Sequence, residues 1–236
     1  METILTPNFK RVYVWEMAVR MFHWTTVLSM TVLIITGLII ANPPAFNRHV
    51  EATHSFWFGY VRMAHFIAAY VLIANAIFRL YWGFAGNRFA RWINFIPYRK
   101  ENWRRIWHVL KYDIFLLPQK HHRLSDISIG HNQLAAFSYV IMGLLFILQA
   151  VTGLALIADT SDWWFPHMFV WVKTWLGGDI ATRYIHRLLT WFFLTFIVIH
   201  VYLVLFHDYV EARGEASSMI SGIKFVRSER LEGEDE

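Results

Sequence analysis

Four long apolar stretches dominate this sequence, and each can cross a lipid bilayer, whose hydrocarbon core takes roughly 20 apolar residues of helix. They cover about 22–41, 57–84, 133–158 and 184–206. No water reaches a backbone N–H or C=O in that core, so a spanning segment must be helical. The third stretch carries no charge. Arg62 and Arg79 lie toward the ends of the second and Arg187 near the start of the fourth. Long Arg stems let such charges reach the headgroups. Only 17% of the residues are Asp, Glu, Lys or Arg and 56% are hydrophobic. An ordinary soluble domain has about 25% charged residues. The composition therefore excludes a soluble domain of this size, and equally a disordered or fibrous chain. There is no cysteine, which excludes disulfides, cysteine-ligated iron–sulfur clusters and thioether-attached haem.

Orientation follows from Lys and Arg in the connections. The N-terminal segment, the 85–132 connection and the C-terminal tail carry sixteen together, and the two remaining loops carry three. Both termini are therefore expected on the cytoplasmic side. No signal peptide is visible in the polar first 20 residues. Residues 99–117 mix Arg and Lys with Trp103, Ile106, Trp107, Leu110 and Phe115, the pattern of an amphipathic helix on the membrane surface. Residues 162–176 hold four Trp and a Pro and read as an aromatic interfacial element. The tail from about 215 to 236, ending in the acidic run 232–236, is expected to be flexible. The whole chain reads as one membrane domain. It shows no internal repeat, no phosphate-binding glycine loop and nothing that calls for nucleic acid.

The lead to function is histidine. Four of the twelve lie within spans: His23, His65, His186 and His200. An imidazole in lipid needs a partner. The expected orientation puts His65 and His186 in the outer half, and His23 and His200 toward the cytoplasm. His186 and His200 are fourteen residues apart. At about 100° per residue they share a helix face, and at about 1.5 Å per residue they stand about 21 Å apart along it. One helix offering two ligands, each met by a ligand from another helix, describes two haems stacked in a four-helix bundle. Bis-histidine ligation leaves iron no open position and suits electron transfer. Zinc would want more ligands, closer together. Arg20, Arg62 and Arg183 stand three residues before His23, His65 and His186, on the same helix side and one turn nearer water. Arg there suits haem propionates. Gly37, Gly143 and Gly153 leave room for a macrocycle or a neighbouring helix. The plainer alternative is that each membrane His is a structural hydrogen-bonding group. His207, beside Asp208, is an alternative ligand to His200. His49, His54, His108 and His167 read as solvated.

The runs Arg20-Met-Phe-His23-Trp24, ending at Thr36-Gly37, and Arg183-Tyr-Ile-His186-Arg187, followed by Trp191, Phe196 and His200, resemble two signatures of one family. It is the b-type cytochrome subunit of membrane-bound nickel–iron hydrogenases. Gly130-His131-Asn132 is similar to the same family, and the likeness covers nearly the whole chain. The resemblance implies a four-helix dihaem anchor in the bacterial cytoplasmic (inner) membrane. It implies partnership with the iron–sulfur small subunit and nickel–iron large subunit outside the membrane. Electrons would pass through two b haems to membrane quinone, with no hydrogen chemistry in this subunit itself. Related subunits serve formate dehydrogenases and thiosulfate reductases. A membrane anchor or transporter without haem is the competing class. By position, His121, His122, Asp126, His131, Asn132 and Tyr202 are candidates for a quinone site. In sum the chain is expected to be all-α: an integral membrane four-helix bundle with interfacial amphipathic helices.

Overall fold

A computed structural model of the chain describes residues 9–44, 56–95, 100–109, 111, 133–211 and 214–227. In chain order the elements are β1 (Phe9–Tyr13), α1 (Met17–Ala41), α2 (Trp57–Ala85), α3 (Lys100–Val109), α4 (Gln133–Ile157), α5 (Trp164–His167), α6 (Trp171–Leu176), α7 (Asp179–Glu211), α8 (Glu215–Ser221) and β2 (Ile223–Arg227). Helices α1, α2, α4 and α7 are long and apolar enough to span a membrane. The fold is all-α, as expected, with one added two-stranded sheet. Hydropathy marks the hydrocarbon depth, whereas helical hydrogen bonding continues into the interface. Thus α7 begins at Asp179, five residues before the apolar stretch, and its acidic first turn suits the positive end of the helix dipole.

Two compact units make up the chain: residues 22–79 with 141–199, and residues 1–21 with 80–140 and 200–236. In the first, small polar residues share the interior with apolar ones such as Leu72, Leu154 and Phe193, and many large apolar residues face outward. Ser29, Thr36, Asn75 and Thr152 are buried, while Leu28, Ile35, Ile67, Leu144, Ile147 and Phe192 are exposed. In lipid, apolar bulk gains nothing from burial, and small or hydrogen-bonding residues take the helix contacts. The 162–176 segment forms α5 and α6. Trp163 lies 5.6 Å from the Tyr70 ring, and Lys173 pairs with Asp159 at 2.6 Å. Two left-handed glycines, Gly177 and Gly178 (φ +91° and +105°), turn the chain directly from α6 into α7.

The other unit corrects the reading of the tail. Residues 215–227, expected to be flexible, form α8 and β2. Strand β2 pairs antiparallel with β1, in a register that sets Arg11 opposite Phe225 and Tyr13 opposite Ile223. What holds them is a core around Val14 and Trp15 packed with Val12, Val19, Phe89 and Met219. The Val14 and Trp15 N–H groups both donate to the Gly222 carbonyl, at 2.9 and 3.1 Å. Trp15 Nε1 donates to Ser218 Oγ at 3.2 Å. Lys224, almost fully buried, pairs with Glu215 at 2.7 Å and lies 5.3 Å from the Trp15 ring. Glu16 accepts from Trp82 Nε1 and from the Asn87 N–H, and so ties the strand exit to the end of α2. The acidic run 232–236 lies outside the described residues. Helix α3 carries the amphipathic pattern: Ile106 is buried, Trp107 exposed, and Trp103 meets Phe137 edge-on at 5.3 Å. Of the segment read as one amphipathic helix, 99, 110 and 112–117 lie outside the described residues.

Candidate functional site

His65 and His186 come from α2 and α7 and fall in the same unit. Each is seated against a Thr-Gly pair of another long helix. Thr36 Oγ1 of α1 lies 2.8 Å from His65 Nδ1, and Thr152 Oγ1 of α4 lies 2.9 Å from His186 Nδ1. The following glycines make room for the rings. A β-carbon on Gly37 would stand 3.3 Å from His65 Cε1, and one on Gly153 would stand 3.1 Å from His186 Cε1. Gln149 of α4 covers the far side of His186: its Nε2 lies 3.3 Å from His186 Nε2 and 3.3 Å from Thr190 Oγ1. The Oε1 atom of that amide is buried with no hydrogen-bond partner among the described residues. Gly143, grouped with the other two glycines in the sequence, has nothing within 4 Å of its β-position.

His23 belongs to the same unit as His65 and His186, and His200 to the other. The His23 ring meets Trp24 edge-on at 5.2 Å. Beside it, the buried Asn75 donates to the Phe22 carbonyl at 3.0 Å and to Thr26 Oγ1 at 2.9 Å, a polar node between α2 and the start of α1. His200 meets Tyr139 edge-on at 6.4 Å. The three arginines take separate partners. Arg20 donates to the Ile220 carbonyl. Arg62 lies over the Phe66 ring at 5.7 Å, and Arg183 pairs with Asp179 at 2.7 Å in the first turn of α7. Tyr202 is exposed and stacks on Phe206 at 5.9 Å. His121, His122, Asp126, His131 and Asn132 lie outside the described residues, as do His49 and His54. His167 donates from Nε2 to the Ser161 carbonyl at 2.7 Å.

Thr36, Thr152, Gln149 and Asn75 were not picked out from the sequence as site residues. They carry no charge, so nothing marks them within an apolar run. The signal that could have found the two threonines is the Thr-Gly dipeptide standing in both the first and third spans; Gln149 and Asn75 carry none. Among the described residues no three His, Cys, Asp or Glu side chains gather as a bare metal ion would require. Imidazoles seated alike on two spanning helices of one unit instead fit a class of protein, a helical membrane cytochrome, whose haem histidines would hold.

Comparison with known proteins bears on that class directly. A family profile described as prokaryotic cytochrome b561 matches residues 14–222. The chain belongs to this family and is a multi-pass membrane cytochrome b of electron transport. It is 36% identical over 227 residues to a protein of Azotobacter vinelandii, covering 93% of this chain and 90% of that one. It is 35% identical over 221 residues to one of Escherichia coli K12, covering 90% of each. It is 33% identical over 223 residues to one of Cupriavidus necator, covering 92% of this chain and 88% of the other. The first and third are named probable Ni/Fe-hydrogenase B-type cytochrome subunit, and the second a probable Ni/Fe-hydrogenase 1 B-type cytochrome subunit.

Proposed function

We propose that this chain is the membrane electron carrier of a nickel–iron hydrogenase. It would take electrons from partner subunits outside the cytoplasmic membrane and pass them through two b haems to quinone. The observation that supports the reading is that His65 and His186, on separate spanning helices of one unit, are seated alike, each with a threonine at Nδ1 and a glycine under Cε1. Held there, each ring keeps Nε2 for a ligand. The residues fit a haem in their donor chemistry: two imidazoles, glycine-lined seats, and a buried amide oxygen on Gln149 with no partner among the described residues. A bound b haem supplies a one-electron iron couple. The protein's part would be to hold both imidazoles in place and exclude water. Gln149, beside His186 Nε2, is the group that ligation there would displace.

His23 and His200 form the second pair in this reading. Their support is the fourteen-residue spacing on α7 and the matched depth on α1. Arg20, Arg62 and Arg183 are the propionate partners; Arg62 and Arg183 are largely exposed and free to turn from their present contacts. Quinone reduction near the second pair would draw on His122, His131, Asn132 and Tyr202. Both termini would face the cytoplasm. The relatives' names favour hydrogenase over formate dehydrogenase or thiosulfate reductase as the partner.

Haem stoichiometry tests this. Pyridine haemochrome analysis of the purified, undamaged chain should give about two protohaems per polypeptide. A value of one refutes the two-pair reading, and a value of zero refutes the haem reading altogether.

A further inference from the structure

Two parts of the chain distant in sequence repeat one local design around a histidine. In each, a threonine faces His Nδ1 and the glycine after it underlies His Cε1, and the distances nearly match. For Thr36-Gly37 and His65 they are 2.8 Å to Nδ1, and 3.3 and 3.8 Å from the glycine β-position to Cε1 and Nδ1. For Thr152-Gly153 and His186 they are 2.9, 3.1 and 3.8 Å. Both threonines are buried, 8% and 3% exposed. Each also reaches back to its own helix. Thr36 Oγ1 lies 2.6 Å from the Val32 carbonyl and 3.4 Å from that of Leu33. Thr152 Oγ1 lies 2.8 Å from the Leu148 carbonyl and 3.0 Å from that of Gln149.

A hydroxyl has one proton and two lone pairs, and a carbonyl can only accept. With two carbonyls on one side, the threonine proton goes to a carbonyl. The contact to the ring is then an Nδ1–H donating to Oγ1. We propose that Thr36 and Thr152 are paired positioning residues that hold His65 and His186 in the Nδ1–H tautomer, with Nε2 left as the ligating atom, and that tune the iron bound between them. This rests on the reading of His65 and His186 as one axial pair.

The physical consequence has a sign. An Nδ1–H that donates to oxygen makes the imidazole a more basic ligand, and a more basic ligand favours the ferric state. The acceptor is strengthened because its own proton is engaged by a carbonyl. Removing either hydroxyl should therefore raise the reduction potential of the haem held by His65 and His186. The two effects should act in the same direction, since both rings would ligate one iron in this reading.

The experiment is a redox titration of the purified full-length chain, monitored in the haem α band, for Thr36→Val, Thr152→Val, Thr36→Ser and Thr152→Ser. Valine keeps the shape and loses the hydroxyl; serine keeps the hydroxyl and loses the methyl. The expected result is a ferric-to-ferrous ratio lowered about fivefold by each valine at fixed ambient potential, an upward shift of about 40 mV at about 59 mV per tenfold. Serine should restore the parent value. Loss of the haem from the valine variants with retention in the serine variants is the stronger form of the same result. An unchanged potential in the valine variants, a serine shift as large as the valine shift, or loss of haem from both overturns the proposal. His65→Ala, titrated alongside, separates the two readings. If it keeps the haem, the axial assignment fails; if it loses the haem while Thr36→Val titrates as the parent, only the tuning role fails.

Discussion

Gly37 and Gly153 sit under the two histidine rings, and their tolerances differ. A methyl on Gly153 would approach His186 Cε1 to 3.1 Å, against 3.3 Å for Gly37 and His65. Both are tighter than ordinary contact, so each ring must shift, and His186 more. Overpacking of this kind costs typically 1–3 kcal/mol. Gly153→Ala is therefore expected to lower haem occupancy at the His65–His186 pair more than Gly37→Ala, as measured by haem per chain after purification. The arginines give a second outcome. If Arg62 turns from Phe66 to a propionate, Arg62→Gln removes a cation near the iron and should lower that haem's potential by some tens of millivolts, at about 59 mV per 1.4 kcal/mol. An unchanged or raised potential in a redox titration would place Arg62 elsewhere. The histidines were legible in the sequence because an ionisable group in an apolar run is conspicuous and expensive. Thr36, Thr152 and Gln149 were not, since a neutral polar residue in a span announces nothing until packing brings it to a ring nitrogen.

At the scale of elements, hydropathy located all four spanning helices, and the structure extends α1 at its start and α7 at both ends beyond the apolar stretches. The strands β1 and β2 were invisible for a different reason. Each is five residues long, they lie more than two hundred residues apart, and neither pairs locally. Their partnership depends on Trp15, Ser218 and Gly222, which meet only in the folded chain. Gly222 is the critical position. Its φ is +83°, and a β-carbon there would stand 2.7 Å from the Trp15 carbonyl and from the Tyr13 ring. The left-handed conformation alone costs an L-residue about 1–2 kcal/mol, and the clash adds to it. Gly222→Ala should free the C-terminal segment, read as faster limited proteolysis between α7 and α8, with haem content unchanged. Equal proteolysis of variant and parent would show that the β1–β2 pairing does not depend on this turn.

For the whole molecule, electron transfer through haem and chemistry at the proposed quinone end are separable. In the proposed reading Asn132, which precedes α4 in the sequence, belongs to the quinone site and is not an iron ligand. In the assembled hydrogenase complex, Asn132→Ala should leave both haems bound and reducible by hydrogen. Hydrogen-to-quinone turnover, normalised to haem, should fall while hydrogen oxidation with an artificial dye persists. Parallel losses in both activities would make Asn132 a helix cap instead.

The central claim is that His65 and His186 hold one haem while His23 and His200 hold another. Optical redox titration of His65→Ala, His186→Ala and His23→Ala, each purified as the full chain, tests it most directly. The account predicts that His65→Ala and His186→Ala lose the same spectral component and keep the other, and that His23→Ala loses the one they keep. If His23→Ala and His186→Ala deplete the same component, the pairing is contradicted.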